Sequence, residues 1–213
     1  MVRGDLDAVM RLHRHFFPTN VFGRLGPRVL RTYYGTLVDG AATHCRVATS
    51  SGEVKAYLVG VLDVSAHGRD RRSHHRRQLM LAGVTALLRH PVLVSVLVTG
   101  RVRRAARAWA GGRGGRGAGG APAPRRLAVL SHVGVVASSR GRGVGDRLIK
   151  DFVRAAGAAG AEAVTLATLE GPAGAGPYYE RAGWTMVQRS RTADGRAIGV
   201  YELPASPSGG NLA

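Results

Sequence analysis

Cysteine is almost absent from this chain. Of its 213 residues only Cys45 carries a thiol, which excludes a disulfide framework and a thiolate zinc site and fits a reducing compartment. Aromatic residues are scarce at 6%, too few for the stacking platforms of a single-strand nucleic-acid binder. Acidic residues number 13 against 31 basic ones, a net charge of +18. Lysine is nearly missing as well: Lys55 and Lys150 are the two, and the other 29 basic residues are arginines. Beside the abundant Ala and Gly, this skew reads as the mark of GC-rich coding, so arginine content alone says little about phosphate binding. Placement says more. Residues 69–126 hold 14 arginines and one acid, Asp70, which is 13 of the 18 net positive charges.

A long uninterrupted apolar run is also lacking. Leu79–Thr99 has about the length of a membrane span, roughly 20 residues, but Arg89, His90 and Pro91 stand at its middle. An arginine at a helix centre costs about 2.5–3.5 kcal/mol on insertion, and proline breaks the helix. The stretch is therefore not read as transmembrane. The opening MVRGDLDAVMRLHRHFF interrupts its apolar residues with charges and offers no small-residue cleavage site. A soluble cytoplasmic protein is expected, at most peripheral to a membrane.

The hydrophobic periodicity predicts helices over Asp5–Phe17, stopped by Pro18, over Pro27–Val38, and over Gly143–Ala159. A hairpin is expected from Cys45–Ala48 through the turn Ser50-Ser51-Gly52 to Val54–Leu62. Leu127–Val136 and Val164–Leu169 read as buried strands, and Tyr178–Gly183 as the end of a short helix. Trp184–Arg189 and Ala197–Leu203 form a last hairpin across Ala193-Asp194-Gly195. Between the halves lies an insertion at 65–124: polar and basic at 65–78, apolar with scattered arginines at 79–110, then the low-complexity linker GGRGGRGAGGAPAP. The expected organisation is one domain over 1–204, interrupted by that insertion, and a disordered tail at 205–213. The apolar part of the insertion reads first as short helices packed over the domain and second as an interfacial hairpin.

Chemistry concentrates in LAVLSHVGVVASSRGRGVG, residues 127–145, followed at once by an amphipathic helix. A strand, a glycine-rich turn and a helix N-terminus make a phosphate cradle, because glycines admit the phosphate, N–H groups point at it and the helix dipole favours the negative charge. Other nucleotide motifs fail. There is no GxxxxGK[ST], and Asp146 stands where GxGxxG counted from Gly141 needs its third glycine. What remains is R-x-x-G-x-G, Arg140 to Gly145, with a second block downstream, Tyr179-Glu180-Arg181-Ala182-Gly183-Trp184.

With both blocks in view, the chain resembles the GNAT superfamily of acyl-CoA N-acyltransferases. Its pyrophosphate motif [QR]-x-x-G-x-[GA] is matched by Arg140, Gly141, Arg142, Gly143, Val144 and Gly145, and its Y-x-x-x-G-[FW] element by Tyr179 to Trp184. The resemblance is strong over 127–203 and looser over 3–62. The stretch FFPTNVFGRLGPRVLRTYY and the long insertion are similar to a bacterial subgroup, some members of which are associated with sugar or polysaccharide loci. The resemblance implies an α/β fold of the α+β kind, a mixed, mostly antiparallel sheet flanked by helices. It implies acetyl-CoA as co-substrate without a metal, its pyrophosphate held by the backbone of Arg140–Gly145 and its pantetheine arm by the strand edge at Val135 and Val136. It implies Tyr179 as the acid that protonates the departing thiolate, and direct attack by a primary amine of a small molecule, such as an amino sugar or biosynthetic intermediate. A homodimer is compatible with it.

The chain departs from the family in three places. The central-strand glutamate that serves many members as base is Val129 here, and the asparagine six residues before the tyrosine is Ala173. His132 lies on the same strand with a suitable ordinary pKa of about 6.5, but period-two alternation sets it on the face opposite Val129, which favours a core or surface role. Third, only Met1-Val2-Arg3 stands where members carry a first strand, so a shortened strand or a start placed too far downstream is expected. Cys45 is read as a small buried hydrophobe, since His44 beside it points to the other face. His13, His15, His74 and His75 lack a ligand cluster and are read as solvated. The arginine runs within 69–107 read as solvated faces, as attraction for an anionic acceptor, or as contact with anionic lipid. Two other functions compete: a basic nucleic-acid binder, made improbable by the few aromatics, and a membrane-peripheral adaptor with an idle acyltransferase domain.

Overall fold

The computed structural model describes residues 1–18, 26–63, 125–172, 174–192 and 195–205; residues 19–25, 64–124, 173, 193–194 and 206–213 lie outside them, among them the expected insertion, Ala173, most of the expected Ala193-Asp194-Gly195 turn and most of the expected tail. The chain opens with a 3-10 turn, Arg3–Asp5, and runs directly into α1, Leu6–Phe16. No strand precedes α1 among the described residues. Leu6, Val9, Met10 and His13 form its buried stripe at helical spacing, which corrects the reading of His13 as solvated. That histidine continues the core face and is fully buried. Helix α2, Pro27–Val38, begins with proline at its first turn and buries Leu30, Tyr34 and Leu37.

Strands β1, Thr43–Ser50, and β2, Glu53–Val61, form a hairpin closed by Ser51 and Gly52, both at positive φ. That is the two-residue turn whose twist suits a hairpin. Strand β3, Leu127–Val135, lies beside β2 and leads through a 3-10 turn, Ala137–Ser139, to helix α3, Val144–Ala158. Strand β4, Ala163–Leu169, helix α4, Gly176–Arg181, and strands β5, Thr185–Arg191, and β6, Ala197–Pro204, complete the domain. The six-stranded sheet has the order β1-β2-β3-β4-β6-β5, antiparallel except for β3 against β4. Ala205 is buried and donates its N–H to the Glu162 carbonyl.

Two cores sit on opposite faces. Helices α1 and α2 cover one with Leu6, Val9, Leu30, Tyr34, Tyr57, Val59 and Val61. Helices α3 and α4 cover the other with Leu58, Leu130, Phe152, Val164, Tyr179, Trp184 and Tyr201. The second is closed tightly by Phe152, because β2 offers it Gly60, where an added Cβ would lie 2.3 Å from the ring. On β1, His44 turns to this face and accepts a place against Phe152, its Nε2 2.8 Å from the Asp151 carboxylate. Burial works to raise the Asp151 carboxyl, but hydrogen bonds from Arg154, His44 and Arg46 outweigh it and hold it below the ordinary carboxylate range. Cys45 turns to the opposite face, half-buried against the α1–α2 core, with its thiol pushed up to about 11 mainly by burial.

Candidate active site

The parallel strands β3 and β4 pair at only three positions, Leu127↔Ala163, Ala128↔Val164 and Val129↔Thr165. Beyond Val129 the ladder stops while both strands continue, to Val135 and Leu169. The sheet is thus opened into a wedge toward the strand C-termini, with the β3 edge facing into it. An edge of this kind accepts an extended ligand as an added strand.

The glycine loop stands at the open end. Gly141 and Gly143 adopt positive φ, +71° and +69°, with open space where a side chain would be. Gly143 caps α3, and its carbonyl accepts the N–H of Arg147 at 3.0 Å. The N–H groups of Val144, Gly145 and Asp146, in the first turn, have no carbonyl four residues back to bond within the helix. Together with the helix dipole they form an anion cradle. Arg140 is differently employed: its backbone N–H donates to the Ala137 carbonyl at 3.2 Å, its Nε to the Val135 carbonyl at 3.1 Å, and its guanidinium lies 5.9 Å from the Phe16 ring centre. It braces the loop against β3 and α1.

The two strand-edge positions also divide. Val136 donates its N–H to the Lys55 carbonyl and accepts from Ser139, so both of its backbone groups are engaged within the protein. Strand alternation turns the Val135 N–H the other way, into the wedge.

Tyr179 is buried among Trp184 and Tyr201, with ring centres at 5.5 and 6.2 Å. Burial pushes its phenol up to about 12, so it holds its proton at neutral pH. Tyr178 instead donates its hydroxyl to the Asp146 carboxylate, tying α4 to the first turn of α3. A groove of about 530 Å³ runs beside this tie, with Lys150, Arg181 and Trp184 among its walls.

The central strand holds a feature that period-two reading missed. Val59 pairs with His132, but the next residue, Gly60, pairs with Leu130, which leaves Ser131 as an extra residue in β3. The bulge reverses the alternation. Val129 pairs with Val61 of the α1–α2 core, and His132 packs on the same side against His13, Phe17, Tyr33 and Tyr34. The expectation that His132 and Val129 lie on opposite faces is thereby corrected. Burial, with His13 beside it, lowers the His132 imidazole to about 3, and burial lowers His13 to about 4. No sequence pattern announces the bulge, although the break in the apolar run at Ser131-His132 marks the place.

Among the described residues no group of three His, Cys, Asp or Glu side chains is placed to hold a metal, and no helix is long and apolar enough to cross a membrane. Ala173, His74, His75 and the arginine runs of 69–107 lie outside the described residues.

A mixed sheet opened between its two parallel strands, with a glycine loop and a helix N-terminus at the head of the opening, is an arrangement suited to an extended ligand that carries a phosphate group. Residues 101–202 match the family model of the acetyltransferase (GNAT) domain. That stretch takes in β3 to β5 and most of β6, so this part of the chain is a GNAT acetyltransferase domain. No curated protein matches the chain. Among solved structures it is similar to the ribosomal-protein-S18-alanine N-acetyltransferase of Escherichia coli, at 15% identity and TM-score 0.55, over 100% of this chain and 96% of that one. It is similar also to an aminoglycoside 6'-N-acetyltransferase complexed with coenzyme A, at 10% identity and TM-score 0.55, over 95% and 91% of the two chains. A third is the polyamine N-acetyltransferase of Drosophila melanogaster, at 14% identity and TM-score 0.52, over 96% and 97%. At these identities the likeness is one of fold.

Proposed function

We propose that the protein transfers the acetyl group of acetyl-CoA to the primary amine of a small molecule, an amino sugar or biosynthetic intermediate, by direct attack. The observation that carries this reading is the wedge between β3 and β4 with the Gly141–Gly145 cradle at its mouth. The pyrophosphate is held by N–H groups of the loop from Gly141 to Gly145, with Arg140 keeping the loop in place. The pantetheine arm lies along the β3 edge, where Val135 offers its N–H. The thioester carbonyl then meets an N–H donor that stabilises the negative charge it gains as the amine attacks. The C–N bond forms, the C–S bond breaks, and the departing sulfur takes its proton from Tyr179. The amine's own protons restore the phenol and leave to solvent, so no acyl-enzyme is needed. A small acceptor is favoured because aminoglycosides and polyamines are the substrates named for two of the similar structures, while the S18 enzyme is the precedent for a protein acceptor.

Thermal unfolding with and without acetyl-CoA tests the donor. Ligand at about a hundred times its Kd stabilises by about 2.7 kcal/mol, a shift of roughly 5–10 °C in a domain of this size. The shift is expected to vanish in Gly143→Glu, which places a bulky anion at a left-handed position inside the cradle. An equal shift with inorganic polyphosphate would reduce the binding to generic attraction of polyanions and bring the nucleic-acid and membrane readings forward. An amine screen with acetyl-CoA then identifies the acceptor.

A further inference from the structure

An acidic side chain at the third position of a helix ordinarily turns back and accepts an N–H from the residue that caps it. This chain does so at its first turn. Asp5, third in the turn Arg3–Asp5, accepts the N–H of the cap residue Val2 at 2.7 Å. Asp146 has the same place in α3, third after the cap Gly143, and is the acid of that first turn. It behaves differently. No side chain caps α3, and the Asp146 carboxylate is held instead by the hydroxyl of Tyr178, from α4. Asp146 is exposed and Tyr178 half-buried, so water could serve this carboxylate in place of the phenol and stability alone does not call for the bond.

The difference matters at this helix because its first-turn N–H groups stand at the open end of the wedge. A carboxylate folded onto them would take the donors that a phosphate needs and set a like charge in its place. Tyr178 is well fixed to prevent this. The N–H groups of Tyr178 and Tyr179 both donate to the Ala175 carbonyl at 3.1 Å, and the Ala175 N–H donates to the Thr168 hydroxyl at 3.1 Å. The phenol that holds Asp146 is thus carried by a helix tied to β4, the second wall of the wedge. Burial, with the Asp146 carboxylate beside it, raises that phenol above its ordinary value, so it remains a donor at neutral pH.

We propose that Tyr178 is a positioning residue: its hydroxyl holds the Asp146 carboxylate off the head of α3 and so keeps the first-turn N–H groups available to the diphosphate of the donor. The assignment rests on the acyltransferase reading above, in which the glycine loop holds that diphosphate. Asp146 still favours the helix, since a carboxylate near a helix N-terminus is stabilising, but it does so from the side. Two consecutive residues of α4 then have separate tasks, with their ring centres 5.1 Å apart. Tyr179 turns into the core, where the proposed reaction uses its proton, and Tyr178 turns to the first turn of α3 and clears the seat of the phosphates.

A double-mutant cycle read by calorimetric titration with acetyl-CoA tests this. Tyr178→Phe frees the carboxylate to cap α3 and is expected to weaken acetyl-CoA binding roughly 2–30-fold, the range that a helix cap is worth. Asp146→Ala in the Tyr178→Phe background removes the competitor and is expected to recover the loss. A hydrogen bond that merely ties α4 to α3 is broken equally by either substitution, so it predicts matching losses in the two single variants and no recovery in the double. That result, or a Tyr178→Phe protein that binds as tightly as the wild type, overturns the assignment alone. Absence of acetyl-CoA binding by the wild type overturns the acyltransferase reading and this assignment with it. Should Tyr178→Phe fail to fold, Asp146→Ala by itself decides. It is expected to bind acetyl-CoA more tightly than the wild type, because a like charge beside the diphosphate is gone, and equal or weaker binding overturns the assignment.

Discussion

At the scale of single residues, His13 and His132 tie the stability of the fold to pH. Their folded-state values, about 4 and about 3, lie below the unfolded value of about 6.5. The unfolded chain therefore binds more protons as pH falls, and stability rises with pH across the window between those values. The contribution is complete above about 6.5 and is lost as pH drops toward 4 and below. Melting temperature measured from neutral pH to about pH 4 is expected to fall, and to fall less steeply in His132→Gln, which has no imidazole to charge. Parallel curves would show that these rings do not set the acid limb. Asp151 acts in the same sense at lower pH, since its depressed carboxyl stabilises only while ionised. None of this is visible in the local sequence. His13 and His15 look alike as basic letters in a helix, and only the 3.6-residue period separates the buried one from the exposed one. The Asp151–His44 pair joins residues more than a hundred positions apart.

At the scale of elements, the close approach of α3 to the sheet depends on one missing side chain. Gly60→Ala drives a methyl group to 2.3 Å from Phe152, which is fully buried and has no room to retreat. A cost of about 1–3 kcal/mol is expected, read as a melting temperature lower by roughly 2–12 °C. Gly145→Ala is the contrast: its nearest neighbour is a Val135 methyl at 3.5 Å, ordinary contact. A helical position gains from the loss of backbone freedom, so stability is expected to hold or rise by about 0.5–1 kcal/mol. Calorimetry of the two variants side by side checks the pair. Most elements were legible beforehand: α2 spans its expected residues, and β3, α3 and β4 fall within one residue of expectation, because their apolar periods are long and bounded by Gly or Pro. The glycine loop between β3 and α3 was legible for the same reason, being a local sequence of strand, loop and helix. The bulge at Ser131 was not, because a bulge exists only relative to the partner strand, and the wedge was not, because an unpaired edge leaves no mark in composition.

At the scale of the whole molecule, a net charge of +18 acts on the polyanionic donor of the proposed reaction. Such a field raises the encounter rate of anions and is screened by salt, as the Debye length shrinks to about 8 Å at physiological ionic strength. The KM for acetyl-CoA is therefore expected to rise several-fold from low to physiological salt while kcat stays nearly constant. Steady-state kinetics over a salt series decides this, and a flat KM would mean that the excess charge sits away from the donor's approach. The arrangement of the strands has a further consequence for changes in chain length. Val61 and Val129 face each other across the ladder, so the chain leaves β2 and returns to β3 about one strand spacing apart, roughly 5 Å. Everything between is, topologically, the loop of a single hairpin, and the entropic cost of such a loop grows only with the logarithm of its length. Its two roots, Val61 and Val129, stand at the zipped end of the β3–β4 pair, so a change in the length of the span between them leaves the strand pairing that frames the proposed donor site in register.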